Sequence, residues 1–347
     1  MSPFITFGFA LLSMGISFNV VAEVPAATPG DLQWVLPKMP VPKDNELTPE
    51  RAELGKKLFF EPRLSGHSNM SCASCHNPAM GWSDGLSTAR GEKSKVLGRA
   101  TPTIVNTGYI TLQMWDGRKK NLEDQATGPL DSPDEMNADY TGLLAFLNSN
   151  PTYKAAFEKA YPGEKIDKIT FSKAVASFER TVISNNSPFD QWLEGNKNAL
   201  TMQQYRGFQL FKDPQKGNCA VCHAAPNFTD NGFHNIGLAQ FGSEKPDLGR
   251  YTQKAVATMK GAFKTPTLRE INRTAPYFHD GSARTLEEVV DHYVLGGIVK
   301  TNLSPNLKQI KLTAEEKADI VAFMHALTSK ESKEHLPNTQ TSFPLLP

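Results

Sequence analysis

The sequence has little of several features that mark common classes of protein. Its 347 residues include only four cysteines, the formal net charge is +1, and no stretch is rich in lysine or arginine. A chain without a basic run or a strong net charge gives no reason to expect a nucleic acid as a partner. Alternation of polar and apolar residues, which indicates strands, is sparse. Beyond the N-terminal segment no stretch is apolar enough to span a bilayer, and the 39% hydrophobic and 21% charged residues are typical of a soluble globular protein.

All four cysteines lie in two short motifs. Cys72-Ala-Ser-Cys75-His76 and Cys219-Ala-Val-Cys222-His223 each place two cysteines two residues apart, with a histidine directly after them. This is the pattern of c-type haem attachment, in which the thiols form thioether bonds to the haem vinyl groups and the histidine binds the iron. Paired Cys-x-x-Cys motifs also occur in zinc sites, but a zinc ribbon needs no histidine after each pair and usually has its pairs closer together. The sequence therefore predicts two covalently bound haem c groups.

The N-terminal residues 1–22 predict export. The stretch from Phe4 to Ala22 is mostly apolar and ends in small residues, as before a signal-peptide cleavage site. Cleavage near Ala22 and a periplasmic location also fit bacterial haem c, which is attached outside the cytoplasm. The segment lacks the usual N-terminal lysine or arginine and is nearly long enough to span a bilayer, so an uncleaved anchor is the alternative.

Internal repeats divide the chain in two. A helix is expected to begin at Thr48-Pro49, and residues 55–62 within this region match residues 207–214 at a constant offset of 152. Thr101-Pro-Thr103 recurs as Thr265-Pro-Thr267 at an offset of 164, which Asp116-Gly117 and Leu122-Glu123 share. We therefore predict an all-α fold of two tandem cytochrome c-like domains with long ordered loops, at residues 23–190 and 191–347.

The sixth position on each iron decides what each haem can do. A second strong protein ligand gives an electron carrier, whereas an open position admits peroxide or oxygen. The offset of 164 places Tyr293 opposite Pro129, which cannot bind iron, so the repeat predicts one closed and one open haem. Met259, in a stretch inserted in the second half, is the alternative ligand of the second iron. Met324 lies on the apolar face of a predicted helix and is more typical of a core residue.

Several further motifs follow in order along the chain. They are Thr101-Pro-Thr103, Trp115-Asp-Gly-Arg118, Gln125-Ala-Thr-Gly-Pro129, Glu135-Met136, Phe263-Lys-Thr-Pro-Thr-Leu-Arg269 and Pro276-Tyr-Phe-His-Asp-Gly281. With the two haem motifs, they resemble the bacterial dihaem cytochrome c peroxidases and their MauG-type relatives over essentially the whole mature chain. The resemblance implies that the first haem is peroxidatic and that the second exchanges electrons with it.

The resemblance also implies roles for four residues. Trp115 matches the tryptophan between the haems that relays an electron or hole. Glu135 matches the distal acid that moves a proton as the O–O bond breaks, and Gln125 and Pro129 match the other distal-pocket residues. Taken alone, Trp115 is a candidate core residue and Glu135 a candidate solvated loop carboxylate, so these roles rest on the resemblance.

The sequence departs from the peroxidases in three places. They carry an iron-blocking histidine in the loop that is Gly81 to Ala100 here, and this loop has none, so the first haem is expected to react without prior reduction. They have methionine where Tyr293 stands, whereas MauG-type enzymes have tyrosine, a ligand that favours Fe(III) and Fe(IV). The family's inter-haem calcium takes an asparagine oxygen at the position of Ala100. Thr274 and Pro276 match its backbone-carbonyl ligands, so calcium is a possible cofactor only.

Together these features predict a periplasmic dihaem enzyme that uses hydrogen peroxide to form high-valent haem iron and oxidises a protein donor or protein residue. The donor would be a small cytochrome c, a cupredoxin or a protein with an oxidisable tryptophan. MauG-type hole transfer uses a tryptophan at the position of Gly217, so that exit route does not carry over. The alternatives are a conventional cytochrome c peroxidase with Met259 as ligand and a non-catalytic dihaem electron carrier. A monomer and a homodimer both fit.

Overall fold

The computed structural model describes residues 23–329, so the predicted signal peptide and residues 330–347 lie outside the described residues. Within this range the chain is helix-rich, as predicted, and no helix is long and apolar enough to cross a bilayer. The helices are α1 (Pro49–Phe59), α2 (Cys72–Cys75), α3 (Leu122–Gln125), α4 (Gly128–Asp131), α5 (Tyr140–Ser149), α6 (Pro151–Ala160), α7 (Lys168–Glu179), α8 (Pro188–Leu193), α9 (Met202–Lys212), α10 (Leu286–Leu295) and α11 (Ala314–His325). One antiparallel pair joins β1 (Phe233–His234) to β2 (Phe263–Lys264).

The first half is built around the crossing of α1 and α7. Helix α1 begins as predicted, since the Thr48 side chain accepts a hydrogen bond from the Arg51 amide and Pro49 takes the first helical position. The two helices meet at Gly55, where an added Cβ would overlap the carbonyl oxygen of Ala174 and lie 2.8 Å from the Phe178 Cβ. Only a residue without a side chain allows this close approach of the two backbones.

The second half repeats this crossing with α9 and α11. An added Cβ at Gly207 would overlap the carbonyl oxygen of Asp319 and lie 2.8 Å from the Phe323 Cβ. Helix α11 begins with a capping box, in which the side chains of Thr313 and Glu316 each accept a hydrogen bond from the other's backbone amide. The two crossings therefore match residue by residue, with Ala174 equivalent to Asp319 and Phe178 to Phe323.

The hydrophobic cores divide near residue 185. Residues from Leu54 to Val182 form one cluster, and residues from Phe189 to Leu327 form the others. The lead-in segment crosses this division, because Val24 and Trp34 pack in the second half's core. The Trp192 indole also donates to the Pro25 carbonyl at 2.8 Å. The domain boundary near residue 190 stays a prediction, and the lead-in, which the sequence grouped with the first domain, packs on the second core.

Polar contacts connect the two halves. The Arg99 guanidinium donates to both carboxylate oxygens of Asp247, at 2.7 and 2.9 Å, and also to Asp116 at 2.8 Å. The Asn106 side chain donates to the Asn227 side chain at 3.2 Å in a buried position. These contacts hold segments of the first half against segments of the second half.

Candidate haem sites and the cavity between the halves

Both haem motifs hold their histidine in the same way. Nδ1 of His76 lies 3.2 Å from the Trp82 carbonyl oxygen, and Nδ1 of His223 lies 3.0 Å from that of Phe228. Trp82 and Phe228 both have left-handed backbone conformations, with φ of 62° and 55°, which turn their carbonyls toward the rings. Because Nδ1 is engaged by a carbonyl, Nε2 is the ring atom left to bind iron.

The surroundings favour the uncharged forms of the histidine and cysteine side chains in both motifs. Burial lowers the pKa of both His76 and His223, and nearby backbone carbonyls only partly oppose it. Neutral imidazole is the form that binds metal. Burial also raises the pKa of the Cys72 and Cys219 thiols to about 12 each. The four cysteines are free thiols in the structure, as thioether attachment requires.

A cavity of about 230 Å³ contains the second motif and extends toward the first half. Cys219, Cys222 and His223 line it, and Tyr293 projects into it from α10. Burial raises the pKa of the Tyr293 phenol. Met324 also lines the cavity, on the buried side of α11, whereas Met259 is not among its lining residues. The arrangement thus brings His223 and Tyr293, but not Met259, to one cavity.

Two polar side chains test whether this cavity suits a haem. Lys264 lines it, and no carboxylate among residues 23–329 pairs with its ammonium, whose pKa burial lowers to about 8. His279 also lines it, with an Nε2 atom that is buried and lacks a hydrogen-bond partner in the described chain. Unpaired buried donors are rare because they cost free energy. The propionates of a haem would supply acceptors for both, so the residues fit the group.

The helix that carries Tyr293 has a broken counterpart in the first half. Helix α10 runs without interruption from Leu286 to Leu295, and the offset of 164 maps it onto residues 122–131. There the chain forms two short helices, α3 and α4, which are separated by Ala126 and Thr127, and α4 begins with Gly128 and Pro129. Proline lacks the amide hydrogen that a continuous helix needs at this point. The offset of 164 places Pro129 opposite Tyr293, and Pro129 lies in this interrupted stretch.

Glu135 lies in the loop after α4. Its carboxylate is 27% exposed, and an Arg118 nitrogen lies 3.9 Å from Oε1. Burial raises the pKa of Glu135, the Arg118 charge opposes this, and the neighbouring Asp134 adds to it. Glu135 is near enough to Cys75 to raise the pKa of that thiol, after burial and Asp84. The structure thus brings Glu135 to the first haem motif.

The loop without histidine packs against the Glu135 segment. The Glu92 amide donates to the Asp134 carbonyl at 3.1 Å, and Lys95 forms an ion pair with the Asp134 carboxylate. Within the loop, the amides of Ala89 and Leu97 donate to the carbonyls of Arg99 and Ala89, both at 2.9 Å. The loop is therefore held by its own backbone and by the Glu135 segment, and it offers no imidazole to the iron.

Trp115 lies where the two halves meet. Its indole donates to the Ala100 carbonyl at 2.9 Å, and its own carbonyl accepts from the Lys264 amide at 2.8 Å. The ring meets His279 edge-on at a centroid distance of 6.4 Å and lines the same cavity as Pro102. These contacts fix the indole between segments of both halves.

The residues at the positions of the family's inter-haem calcium ligands also meet at this cavity. Ala100, Thr274 and Pro276 all line it. Among residues 23–329, one group of titratable side chains has metal-ligand spacing, and it is Cys222 with Asp230 and His234. Nε2 of His234 lies 2.8 Å from Asp230 Oδ2, and these hydrogen bonds with Asp230 and Cys222 raise the pKa of His234 to about 10. Because Cys222 belongs to the haem motif, this group is part of the haem site.

Comparisons with known proteins give matches over most of the chain. A family model described as di-haem cytochrome c peroxidase matches residues 49–198. The methylamine utilization protein MauG of Methylorubrum extorquens is 42% identical over 302 residues, covering 86% of this chain and 84% of that protein. The cytochrome c551 peroxidase of Nitrosomonas europaea is 36% identical over 302 residues, covering 86% of each. A solved structure of a MauG-like protein associated with microbial copper homeostasis has a TM-score of 0.81 and 32% identity, covering 90% of this chain and 99% of that one.

Proposed function

This chain belongs to the di-haem cytochrome c peroxidase and MauG family and is an oxidoreductase, and from this premise we propose that it is a periplasmic, MauG-like enzyme. It would use hydrogen peroxide at the haem of Cys72–His76 and oxidise a protein donor through the haem of Cys219–His223. The bound haems supply iron that reacts with peroxide and stores oxidising equivalents. The protein supplies proton transfer, a fixed path between the sites and a chosen ligand for each iron.

Proton transfer is assigned to Glu135. Its carboxylate takes the proton of hydrogen peroxide and returns it to the departing oxygen atom. The raised pKa suits this exchange, since it brings proton affinity closer to neutral pH. Arg118, 3.9 Å away, holds the carboxylate by charge, and Gln125 and Pro129 complete the wall of the proposed pocket. Trp115 is the oxidisable ring between the halves.

The observation that carries the MauG-like assignment is the difference between α10 and its broken counterpart. An uninterrupted helix directs the Tyr293 phenol into the cavity that also contains His223, whereas the first half has Pro129 at the equivalent place. A phenolate favours oxidised iron, so a Tyr293 ligand would let the second haem hold an oxidising equivalent. The open first haem would be the place where peroxide reacts.

The donor is proposed by chemical class alone. Two similar proteins are named for methylamine utilization and for cytochrome c peroxidase activity, and these names imply different donors. A protein with an oxidisable tryptophan, a small cytochrome c or a cupredoxin all give up one electron at a time. Gly217 provides no aromatic exit at the second haem motif.

A calcium ion between the haems is a separate part of the proposal. Ala100 offers no side-chain oxygen, so water would complete the ligands provided by Thr274 and Pro276. Elemental analysis before and after treatment with a chelator tests for this ion.

Stoichiometric peroxide added to the diferric protein tests the function. We expect Mössbauer and absorption spectra to show both irons oxidised above Fe(III) without prior reduction. In Tyr293→Met, the second iron should stay ferric, while Met259→Ala, the matched control, should behave like the wild type. Reaction only after one-electron reduction, or loss of a methionine–iron absorption band in Met259→Ala, would instead establish the conventional cytochrome c peroxidase. Failure of the reduced protein to bind carbon monoxide would make it an electron carrier.

A further inference from the structure

A buried carboxyl group, Glu179, lies at the end of α7 and has no part in the proposed function. The two helix crossings identify its equivalent in the second half. Phe178 packs on Gly55 as Phe323 packs on Gly207. In both pairs the phenylalanine Cβ lies 2.8 Å from the place that a Cβ added to the glycine would occupy. The next residue is Glu179 in α7 and Met324 in α11.

Met324 lines the second-haem cavity together with Cys219 and His223. Its equivalent, Glu179, therefore faces the first haem site. The Cys72 thiol confirms this neighbourhood, because the charge of Glu179 is the largest influence on its pKa after burial. The thioether side chain of Met324 beside the second haem site thus corresponds to the carboxyl group of Glu179 beside the first.

The surroundings of Glu179 leave one of its carboxyl oxygens buried without a hydrogen-bond partner among the described residues. The residue is only 4% exposed, and Oε2 is buried without a hydrogen-bond partner among the described residues. Arg180 is adjacent in sequence, but its guanidinium is engaged by Glu123, at 2.7 and 3.1 Å. A buried carboxylate without a partner is costly, so this position is not explained by stability.

The charged and titratable groups around Glu179 lie on three elements. Its own turn contributes Arg180, α3 contributes Glu123, and α2 contributes the Cys72 thiol. Helix α1 meets α7 with apolar residues, among them Phe59, whose ring lies 5.1 Å from that of Phe178. The positive and negative neighbours oppose each other, so burial dominates.

We propose that Glu179 is the redox-linked proton acceptor of the first haem. When that haem gains one electron from a one-electron donor, the Glu179 carboxylate takes one proton from water, and it releases the proton when the electron leaves. The ionised carboxylate stabilises the oxidised haem, and protonation removes that negative charge on reduction. This inference rests on the proposed haem at Cys72–His76, and it does not require reaction with peroxide.

Both protonation states of Glu179 are accessible around its raised pKa. Burial raises the pKa of Glu179 to about 8, against the Arg180 charge, which lowers it. An added electron on a neighbouring group disfavours a carboxylate further, as any like charge does. Electron gain and proton uptake are therefore coupled, since each makes the other more favourable.

Spectroelectrochemical titration of the full-length holoprotein at a series of pH values tests the proposal. In the wild type, we expect the reduction potential of the first haem to fall as pH rises through the region near the Glu179 pKa. In Glu179→Gln, this part of the pH dependence should be absent and the potential at high pH should be higher. Glu135→Gln should keep it, which separates Glu179 from the other carboxyl group near this haem. An unchanged pH dependence in Glu179→Gln would overturn the proposal.

A second variant and a second measurement guard against a folding defect. Glu179→Met introduces the residue that the second half itself has at this place, and it should also lose the pH dependence. Reduced-minus-oxidised infrared spectra of the wild type should show a protonated carboxyl band that both variants lack, and its persistence in them would contradict the assignment. If the protein failed to react with peroxide yet showed this coupling, the proposed function would fall and Glu179 would keep its role.

Discussion

Two carboxyl groups near the first haem differ in their access to water. Glu135 is 27% exposed and has Arg118 beside it, whereas Glu179 is 4% exposed and has no hydrogen-bond partner for Oε2 in the described chain. When different environments push the pKa values of two titratable groups apart, the groups usually have different roles. Glu135 is suited to exchange protons with a substrate, and Glu179 is suited to hold one proton for the haem.

Replacing Glu135 should slow the reaction with peroxide. For Glu135→Gln we expect the rate to fall by about 10²- to 10⁴-fold, the usual contribution of a general acid–base. In the wild type, the rate should rise with pH, because the carboxylate is the proton-accepting form. The midpoint of this rise should lie above the ordinary pKa of a glutamate, because burial raises the pKa of Glu135. Stopped-flow absorption at a series of pH values measures both effects.

Asp134→Asn is the matched control for this prediction. Asp134 adjoins Glu135, but its side chain is 52% exposed and pairs with Lys95. The variant should react at close to the wild-type rate. Equal losses in both variants would indicate a general disturbance of the loop and would contradict a specific role of Glu135.

The residues that could be predicted from sequence are those whose chemistry is local. Two cysteines and a histidine within five positions identify haem attachment without any knowledge of the fold. Lys264 and His279 could not be recognised in this way, because their significance is the absence of a partner within a cavity. Glu179 required the helix crossings, since the sequence offset between halves changes from 152 to 145 between the first and last helices.

At the scale of elements, the two halves share their helix crossings and differ in the helix opposite the second-haem histidine. Thr48 and Thr313 cap α1 and α11 as the sequence predicted, because capping depends on a few adjacent residues. Helix α7 ends at Glu179, where the amide of Thr181 donates a hydrogen bond to the Phe178 carbonyl. The β1–β2 pair, two residues on each side, was too short for any periodicity to reveal.

Adding one methyl group at a helix crossing should destabilise the protein. In Gly207→Ala the new Cβ would overlap the Asp319 carbonyl, so α9 and α11 must move apart, at a cost of about 1–3 kcal/mol or more in the free energy of unfolding. Urea denaturation followed by circular dichroism measures this loss. Gly98→Ala is the control, because an added Cβ at Gly98 meets no described atom within 4 Å. Equal stability of the two variants would contradict the close crossing.

At the scale of the whole molecule, a small set of charged contacts orients one half against the other. Arg99 binds Asp247 of the second half and Asp116 next to Trp115, with Arg99 and Asp247 each 21% exposed. Burial disfavours the Asp247 carboxylate, but hydrogen bonds from Arg99 outweigh it and the pKa lies below its usual value. The contact therefore links the relative position of the halves to the position of the tryptophan.

This contact should make the assembly sensitive to acid. A carboxyl group whose pKa is lower in the folded state stabilises the protein at pH values above its pKa in the unfolded state, about 3.9. This contribution is lost as the pH falls through the pKa in the folded state. At neutral pH, Asp247→Asn should lower the free energy of unfolding by about 1.5–3 kcal/mol, and the difference from the wild type should shrink in acid. Urea titrations at several pH values measure this. Asp291→Asn, at an exposed pair with Lys317, should change stability little at any pH; a deficit of Asp247→Asn that persists unchanged in acid would contradict the assignment.

The packing of Trp34 in the second core has a consequence for the order in which the chain is made. Trp34 is synthesised before the whole core of the first half, yet Phe189, Phe208 and Phe228, which surround its indole, are synthesised after that core. The core of the second half is therefore completed by one segment made early in synthesis and others made late. The core of the first half can close before it. Removing the lead-in with Trp34 should therefore open the core of the C-terminal half, whereas the core of the first half does not include it.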